Sequence, residues 1–258
     1  MNFDPMELLN LLLRWIHIVA GVMWIGHLWF FNFVNAQVVK TYDADSKKKV
    51  IPELMPRALY WFRWGAAYTW LTGILMLGTL YHMGGLMVEE GQNKGIAAGT
   101  GFGILVVAWV IYDVLWKQMA KSEMAGIAIC FVLITGTAFG LSTIMSARAL
   151  FTHIGSIFGT IMAANVWMRI WPNQRKIIAA AKAGSPPPDG LPAIAGLRSK
   201  HNTYMSVPLI FFMLSNHFPT IISGDLRWAV AAVFIAVGWG ATKLMFNKSG
   251  TPAPAKFE

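Results

Sequence analysis

Seven stretches of roughly twenty or more mostly apolar residues, separated by polar loops, decide most of what this chain can become. They cover 8–36, 58–82, 97–116, 124–145, 149–171, 204–222 and 226–246. As a helix, each is long enough to cross about 30 Å of hydrocarbon. Of the 258 residues, 56% are hydrophobic and 13% are charged, about half the charged fraction of a soluble domain. The solvent these stretches are built for is lipid. In lipid every backbone N–H and C=O must be satisfied internally, which leaves helices or a closed barrel. Barrel strands would alternate apolar and polar residues over about ten positions, and no such alternation is present. The expected fold is therefore all-α: a polytopic membrane helix bundle of about seven transmembrane helices. No cleavage signal of the A-x-A type follows the first segment, so that segment is expected to be a retained helix.

Lysine and arginine distribution orients the bundle, because positively charged loops stay on the cytoplasmic side. The 37–57 loop carries Lys40, Lys47, Lys48, Lys49 and Arg57, and the 172–200 loop with Arg169 carries six. Lys117 and Lys121 follow the third segment, and Lys243, Lys248 and Lys256 lie near the end of the chain. The opposite loops hold only Lys94, Arg148 and Arg227. That alternation predicts an N-terminus outside and a C-terminus in the cytoplasm. The expected organisation is one transmembrane domain over 1–247 and a short tail over 248–258. Within the domain, the 172–200 loop reads as a basic interfacial segment. It breaks at Pro186, Pro187 and Pro188 into a stiff extended linker.

Several chemistries are excluded. The single cysteine, Cys130, allows no internal disulfide, no C-x-x-C-H attachment of a c-type haem and no cysteine-held iron–sulfur cluster. Phosphate-loop, serine-hydrolase and zinc-protease motifs are absent. The net charge of +9 belongs to loops beside a membrane, and no nucleic-acid partner is expected.

Six histidines remain: His17, His27, His82, His153, His201 and His217. A helical rise of about 1.5 Å per residue converts each into a depth. If Arg14 marks the outer interface, His17 lies about 5 Å inside it. His153, five residues after Arg148, lies roughly 8 Å inside the same face. His217 sits near the outer end of the sixth segment, so three helices bring a histidine to one level. Two histidines from different helices can clamp one non-covalent haem b. The expected axial ligands are thus two of His17, His153 and His217. Arg14 and Arg148 are placed to pair with haem propionates. Gly155, Gly159 and Ala163 form a small-residue stripe that admits either a neighbouring helix or a porphyrin face. His82, beside Gly84 and Gly85, reads as an interfacial residue. His27 points about 80° away from His17 and lies about 15 Å from it, so the two cannot share one iron. A second inner site would pair His27 with His201. Asp113 and Lys117 read as an i,i+4 ion pair.

The segments RWIHIVAGVMWIGHLWFFNFV, ALYWFRWGA, ALFTHIGSIFGTIMAANVWMRIWPNQRK and SKHNTYMSVPLIFFMLSNHFP resemble the membrane domain of the bacterial membrane-bound urate oxidases (urate hydroxylases). The resemblance runs from about residue 8 to residue 245. It implies oxidation of urate to 5-hydroxyisourate with water as the oxygen source, in the bacterial inner (plasma) membrane. Electrons would pass to a cytochrome c. Longer members carry that cytochrome as a C-terminal C-x-x-C-H domain after a further helix. This sequence lacks it, which implies either a separate cytochrome c or a chain that no longer oxidises urate. His17, His153, His201 and His217 fall in matching segments and become the candidate functional residues. Two other functions fit the same residues. One is a non-catalytic haem-binding electron-transfer or accessory subunit of a larger membrane complex. The other is a cofactor-free, transporter-like protein whose histidines serve protons or packing.

Overall fold

The computed structural model describes residues 4–119 and 122–250. Lys121, Lys256 and most of the expected tail, 251–258, lie outside the described residues. Seven long helices account for nearly all of the rest, with no strand among the described residues. They are α1 (Pro5–Thr41, with a π-helical stretch over Phe30–Asn35) and α2 (Ala44–Met76, carried on by a π-helical Leu77–Met83). There follow α3 (Lys94–Gln118), α4 (Glu123–Ile144), α5 (Ala147–Ala183, π-helical at Val166–Ile170), α6 (Leu191–Leu214) and α7 (Arg227–Ser249). Short turns at Ser215–His217 and Pro219–Ile222 link α6 to α7.

Local chemistry starts these helices where they start. Asp4, Asp43, Asn93 and Ser146 each cap a first turn, accepting a backbone N–H from Met6, Ser46, Ile96 and Ala149 respectively. These caps satisfy donors that have no partner inside the helix. Gly184, with φ of 70°, ends α5 in the left-handed region that glycine tolerates.

Five helices are long and apolar enough to cross a membrane: α1, α3, α4, α5 and α7. This is a membrane protein built as a helix bundle. The other two expected crossings are also helical, but polar residues dilute them. Lys47, Lys48, Lys49 and Glu53 fill the first half of α2, and Arg198 to Thr203 form a polar run in α6.

Neighbouring helices run in alternate directions. At the end holding Asp4, Thr79 donates to Asn10 (3.1 Å), Asn216 reaches Tyr81 and Thr152, and Arg227 pairs with Glu89. At the other end Asn32 donates to Ser199, and Lys200 pairs with Glu123. These are called the N-end and the C-end below.

The core is α5. Its most apolar window is 72% buried, against 17–22% in the other four spanning helices, and it touches α2, α3, α4 and α6. Its small residues explain the contact. A Cβ on Gly155 would stand 2.6 Å from Met213 Cε and 3.0 Å from Phe212 Cβ, and one on Gly159 would stand 3.6 Å from Leu209. The small-residue stripe therefore receives helix α6, not a porphyrin. α1 packs on α2 by the same device, since Gly65 lies against the backbone of Ala20 and Trp24.

Several boundaries differ from the sequence reading: α2 already begins at Ala44, inside the loop expected over 37–57, and α6 ends at Leu214, short of the expected 222. α5 continues through Pro172 to Ala183 without a break. The π-turn has already shifted the hydrogen-bond register there, so the missing proline N–H falls at the first positions after it. The stiff linker expected as far as residue 200 is confined to 184–190, because α6 begins at Leu191 with Pro192 in its first turn.

Candidate functional site

A buried imidazole must place two nitrogens, and what Nδ1 touches decides what Nε2 can do. His153, on α5, is fully buried. Its Nδ1–H donates to the Ala149 carbonyl at 2.7 Å, one turn earlier on the same helix. A carbonyl can only accept, so Nδ1 carries the proton and Nε2 keeps a lone pair. That nitrogen has no partner among the described residues. It faces Gly101 of α3, where a Cβ would come within 2.6 Å of it. A residue with any side chain at position 101 would fill the space in front of the lone pair.

His82 stands beside it. The two ring centroids are 6.1 Å apart, and the His82 ring stacks on Phe102 at 4.0 Å. His82 Nε2 is also buried with no partner. Tyr81 packs edge-on against His153, and its hydroxyl bonds Thr152 at 2.8 Å. Asn216 donates to both hydroxyls. Two bare imidazole nitrogens thus sit on neighbouring rings at the N-end, beside a hydroxyl and amide cluster in which Asn216 Oδ1 is itself without a partner among the described residues. Residues 77–83, which carry His82, are π-helical, a distortion common at functional positions.

The other sequence candidates fall elsewhere. His17 is half-buried on α1 and faces α2, its Nδ1 3.1 Å from Thr72 Oγ1. Thr72 donates its own hydroxyl to Tyr68 O at 2.6 Å, so His17 is the donor. Thr72 precedes His82 by ten residues on one helical run, roughly 15 Å further from the N-end. The level expected to be shared by His17, His153 and His217 does not include His17. The reason is that α1 starts at Pro5 and meets Thr79 at Asn10, a turn before Arg14. Arg14 is exposed and does not mark that end. His217 does lie at the N-end, next to Asn216, but its side chain is exposed, as is Arg148 in the first turn of α5. His27 donates from Nδ1 to Met23 O at 2.7 Å and does not meet His201 in any ring or hydrogen-bond contact among the described residues.

His201 sits in a second polar group toward the C-end. Its Nδ1 is 2.9 Å from Tyr112 Oη, which accepts from Asn165 Nδ2 at 3.1 Å. Among the described residues the tyrosine proton has no hydrogen-bond acceptor in reach other than Nδ1. His201 therefore holds its own proton on Nε2, and that N–H is buried without a partner. Next to Tyr112, Asp113 holds far more than Lys117. Arg169 donates to both carboxylate oxygens, at 2.8 and 2.5 Å, and Arg198 donates at 3.0 Å. Lys117 lies at 2.9 Å. The expected i,i+4 pair is present, but two arginines from α5 and α6 complete it.

Two cavities flank this region. One of about 210 Å3 lies among α3, α4, α5, α6 and α7, apolar along most of its wall, with Tyr112, Trp116 and His201 at one end. The other, about 270 Å3, lies among α1, α2, α5 and α6 and is lined in part by Asn32, Asn35, Gln174 and Ser199. No three His, Cys, Asp or Glu side chains converge as a metal site among the described residues.

Sequence reasoning missed His82, Arg169 and Arg198. For His82 a signal existed: it closes the second apolar segment at the same end as His153. For the arginines there was none, because helix adjacency is not written in a hydropathy pattern.

Neither a curated protein nor a solved structure matches the chain. A family model described as urate oxidase N-terminal matches residues 4–50 and 41–254, nearly the whole length. The chain belongs to the urate oxidase N-terminal family.

Proposed function

We propose that this protein is a membrane-embedded haem b oxidoreductase. In this reading it oxidises urate to 5-hydroxyisourate and passes the electrons to a separate cytochrome c. Seven crossings with the N-end outside, in a bacterial inner membrane, complete the reading. The observation that carries it is the pair of bare nitrogens, His82 Nε2 and His153 Nε2, in a chain of the urate oxidase N-terminal family.

The residues present suit a b-type haem. A ligating imidazole needs a free Nε2 lone pair with its Nδ1–H anchored, and His153 has both, through Ala149. His82 brings a second unpartnered nitrogen from another helix. Gly101 brings only backbone, and no side chain, up to His153 Nε2. A haem held by His153 and His82 would supply an iron that accepts one electron at a time. His17 and His217, the other ligands expected from sequence, serve as the second ligand only if helix ends rearrange. Arg148, five residues before His153 and exposed, supplies a cation for a propionate or for the urate anion. Tyr81, Thr152 and Asn216 hold the helix positions around the imidazoles.

Optical spectra of the purified protein test this: air-oxidised, then dithionite-reduced, then with urate in place of dithionite. A reduced α band of haem b, lost in His153→Ala and shifted in His82→Ala, together with reduction by urate, is the expected result. Reduction by dithionite alone would leave a haem-bearing electron carrier. Folded protein with no Soret band would refute the haem assignment.

A further inference from the structure

We propose that the 210 Å3 cavity among α3, α4, α5, α6 and α7 binds a lipid-soluble quinone, whose ring carbonyl accepts a hydrogen bond from His201 Nε2–H. Size, shape, access and chemistry each point to that ligand class. An apolar cavity of about 150 Å3 holds a benzene ring, so 210 Å3 accommodates one substituted ring. Along α3 the wall runs from Ile104 to Trp116, roughly 18 Å by helical rise. It is elongated and apolar over most of that length, with Glu123, Tyr112 and His201 at one end and the Thr137 hydroxyl toward the other. Ile111 and Leu133, both in the wall, are 46% and 44% exposed. Those exposed apolar side chains belong to the lipid-facing flank of the bundle, so the cavity is reached sideways from the bilayer. A ligand that partitions into lipid uses such an entrance.

The polar end selects among lipid-soluble occupants. His201 is 8% exposed, and its Nε2 has no partner. A buried N–H left unbonded is costly, and an acyl chain offers it no acceptor. A quinone carbonyl does. A haem iron is disfavoured at this nitrogen because Tyr112 Oη donates its hydrogen bond to Nδ1, which keeps the ring proton on Nε2. Trp116, whose ring centroid is 4.0 Å from that of His201, gives a flat ring a surface to stack on.

The chemistry balances with the oxidase reading, on which only the source of electrons rests. Urate plus water gives 5-hydroxyisourate, two protons and two electrons. The quinone takes up two electrons and two protons, each C=O becoming C–OH. Such a site is a second exit for electrons, inside the bilayer.

Two of the twelve tryptophans, Trp116 and Trp239, line the cavity, and an oxidised quinone quenches indole fluorescence on contact. The full chain in detergent is titrated with a short-tailed ubiquinone analogue. Saturable, partial quenching is expected, abolished in Ala108→Phe, which fills the cavity. His201→Leu, which removes the donor, should weaken binding about tenfold, and His201→Gln, which keeps an N–H, should weaken it less. Thr137→Leu is the second cavity-filling variant should Ala108→Phe not fold. Quenching that never saturates, or that persists in a folded cavity-filled variant, overturns the proposal. So does loss of haem absorption in His201→Leu, which would assign the cavity to the macrocycle. Because no urate enters the titration, failure of urate to reduce the haem is a separate result.

Discussion

Replacing Asp113 by Asn should cost more stability than any other single isosteric change in the bundle, and the structure says why. The carboxylate is 8% exposed and serves three cations of very different exposure: Lys117 at 58%, Arg169 at 31% and Arg198 at 4%. Water can take over for Lys117, whose i,i+4 pairing is worth only about 0.5 kcal/mol. Arg169 regains part of its hydration. Arg198 cannot. Its guanidinium lies over the Tyr112 ring at 4.9 Å, and Nη1 already lacks a partner, so losing Asp113 strands a buried charge. Breaking a buried pair from one side costs about 3–5 kcal/mol. At about 2–4 °C per kcal/mol for a chain of this size, Asp113→Asn should melt on the order of 10 °C below wild type in detergent. The companion variant separates lost charge from lost shape. Arg198→Met in the Asp113→Asn background removes the stranded cation and should recover most of the loss, since apolar replacement of a buried pair is often neutral. A melt of Asp113→Asn within about 2 °C of wild type, or a double variant no better than the single, would refute this account of the cluster.

Three further outcomes are expected. Gly101→Ala should lower haem content several-fold by placing a Cβ 2.6 Å from His153 Nε2, whereas Gly99→Ala, which meets nothing within 4 Å, should not; the ratio of Soret to protein absorbance reads both. Gly65→Val forces α1 and α2 apart, because its Cβ would lie 3.0 Å from Trp24 N and 3.2 Å from Ala20 O, both backbone atoms that cannot rotate away. A loss of about 1–3 kcal/mol, measured by thermal unfolding, follows. Outside the membrane, the Ser46 backbone N–H holds the Asp43 carboxyl below the usual carboxylate range. A depressed folded pKa means that its contribution is present at neutral pH and is lost as pH falls through the folded value. The Tm difference between wild type and Asp43→Ala should therefore be measurable at neutral pH and vanish in acid.

Much of the fold was legible in the sequence, because apolar length and loop charge are properties of single segments. All seven apolar stretches are largely helical, the sixth only as far as Leu214, and the Asp113–Lys117 pair lies where i,i+4 spacing puts it. What pairs with what was not legible. In a membrane bundle the outer face is as apolar as the core, so hydrophobicity does not mark the central helix. α5 is central because Gly155 and Gly159 let α6 approach, and its Asn165 is fully buried. Depth alone grouped His17 with His153, since Arg14 was taken to mark the interface. The structure sets that end by Asn10 and Thr79 instead. Depth also put His82 at the end of its helix, which is correct, but Gly84 and Gly85 suggested exposure. Its burial comes from Phe102 on α3, a contact no single segment encodes.

The histidines answer differently to the same low-dielectric surroundings because of one neighbour each. Ala149 O, a pure acceptor one turn before His153, locks the proton on Nδ1 and turns Nε2 into a Lewis base. Tyr112 Oη, which accepts from Asn165 and must spend its own proton, forces His201 the other way and turns Nε2 into a donor. Two imidazoles of opposite tautomer, one with a bare lone pair and one with a bare N–H, thus arise from identical side chains about 18 Å apart in depth, judged from the twelve residues between His153 and Asn165. Between them runs the cavity wall, from Ile157, one turn beyond His153, to His201 itself. Tyr112→Phe should uncouple the two ends. Without the tyrosine proton, His201 is free to carry its hydrogen on Nδ1, and quinone affinity falls while the haem spectrum at His153 is unchanged. A haem spectrum that changes in Tyr112→Phe would mean that the two imidazoles share one ligand, and the division of labour argued here would be wrong.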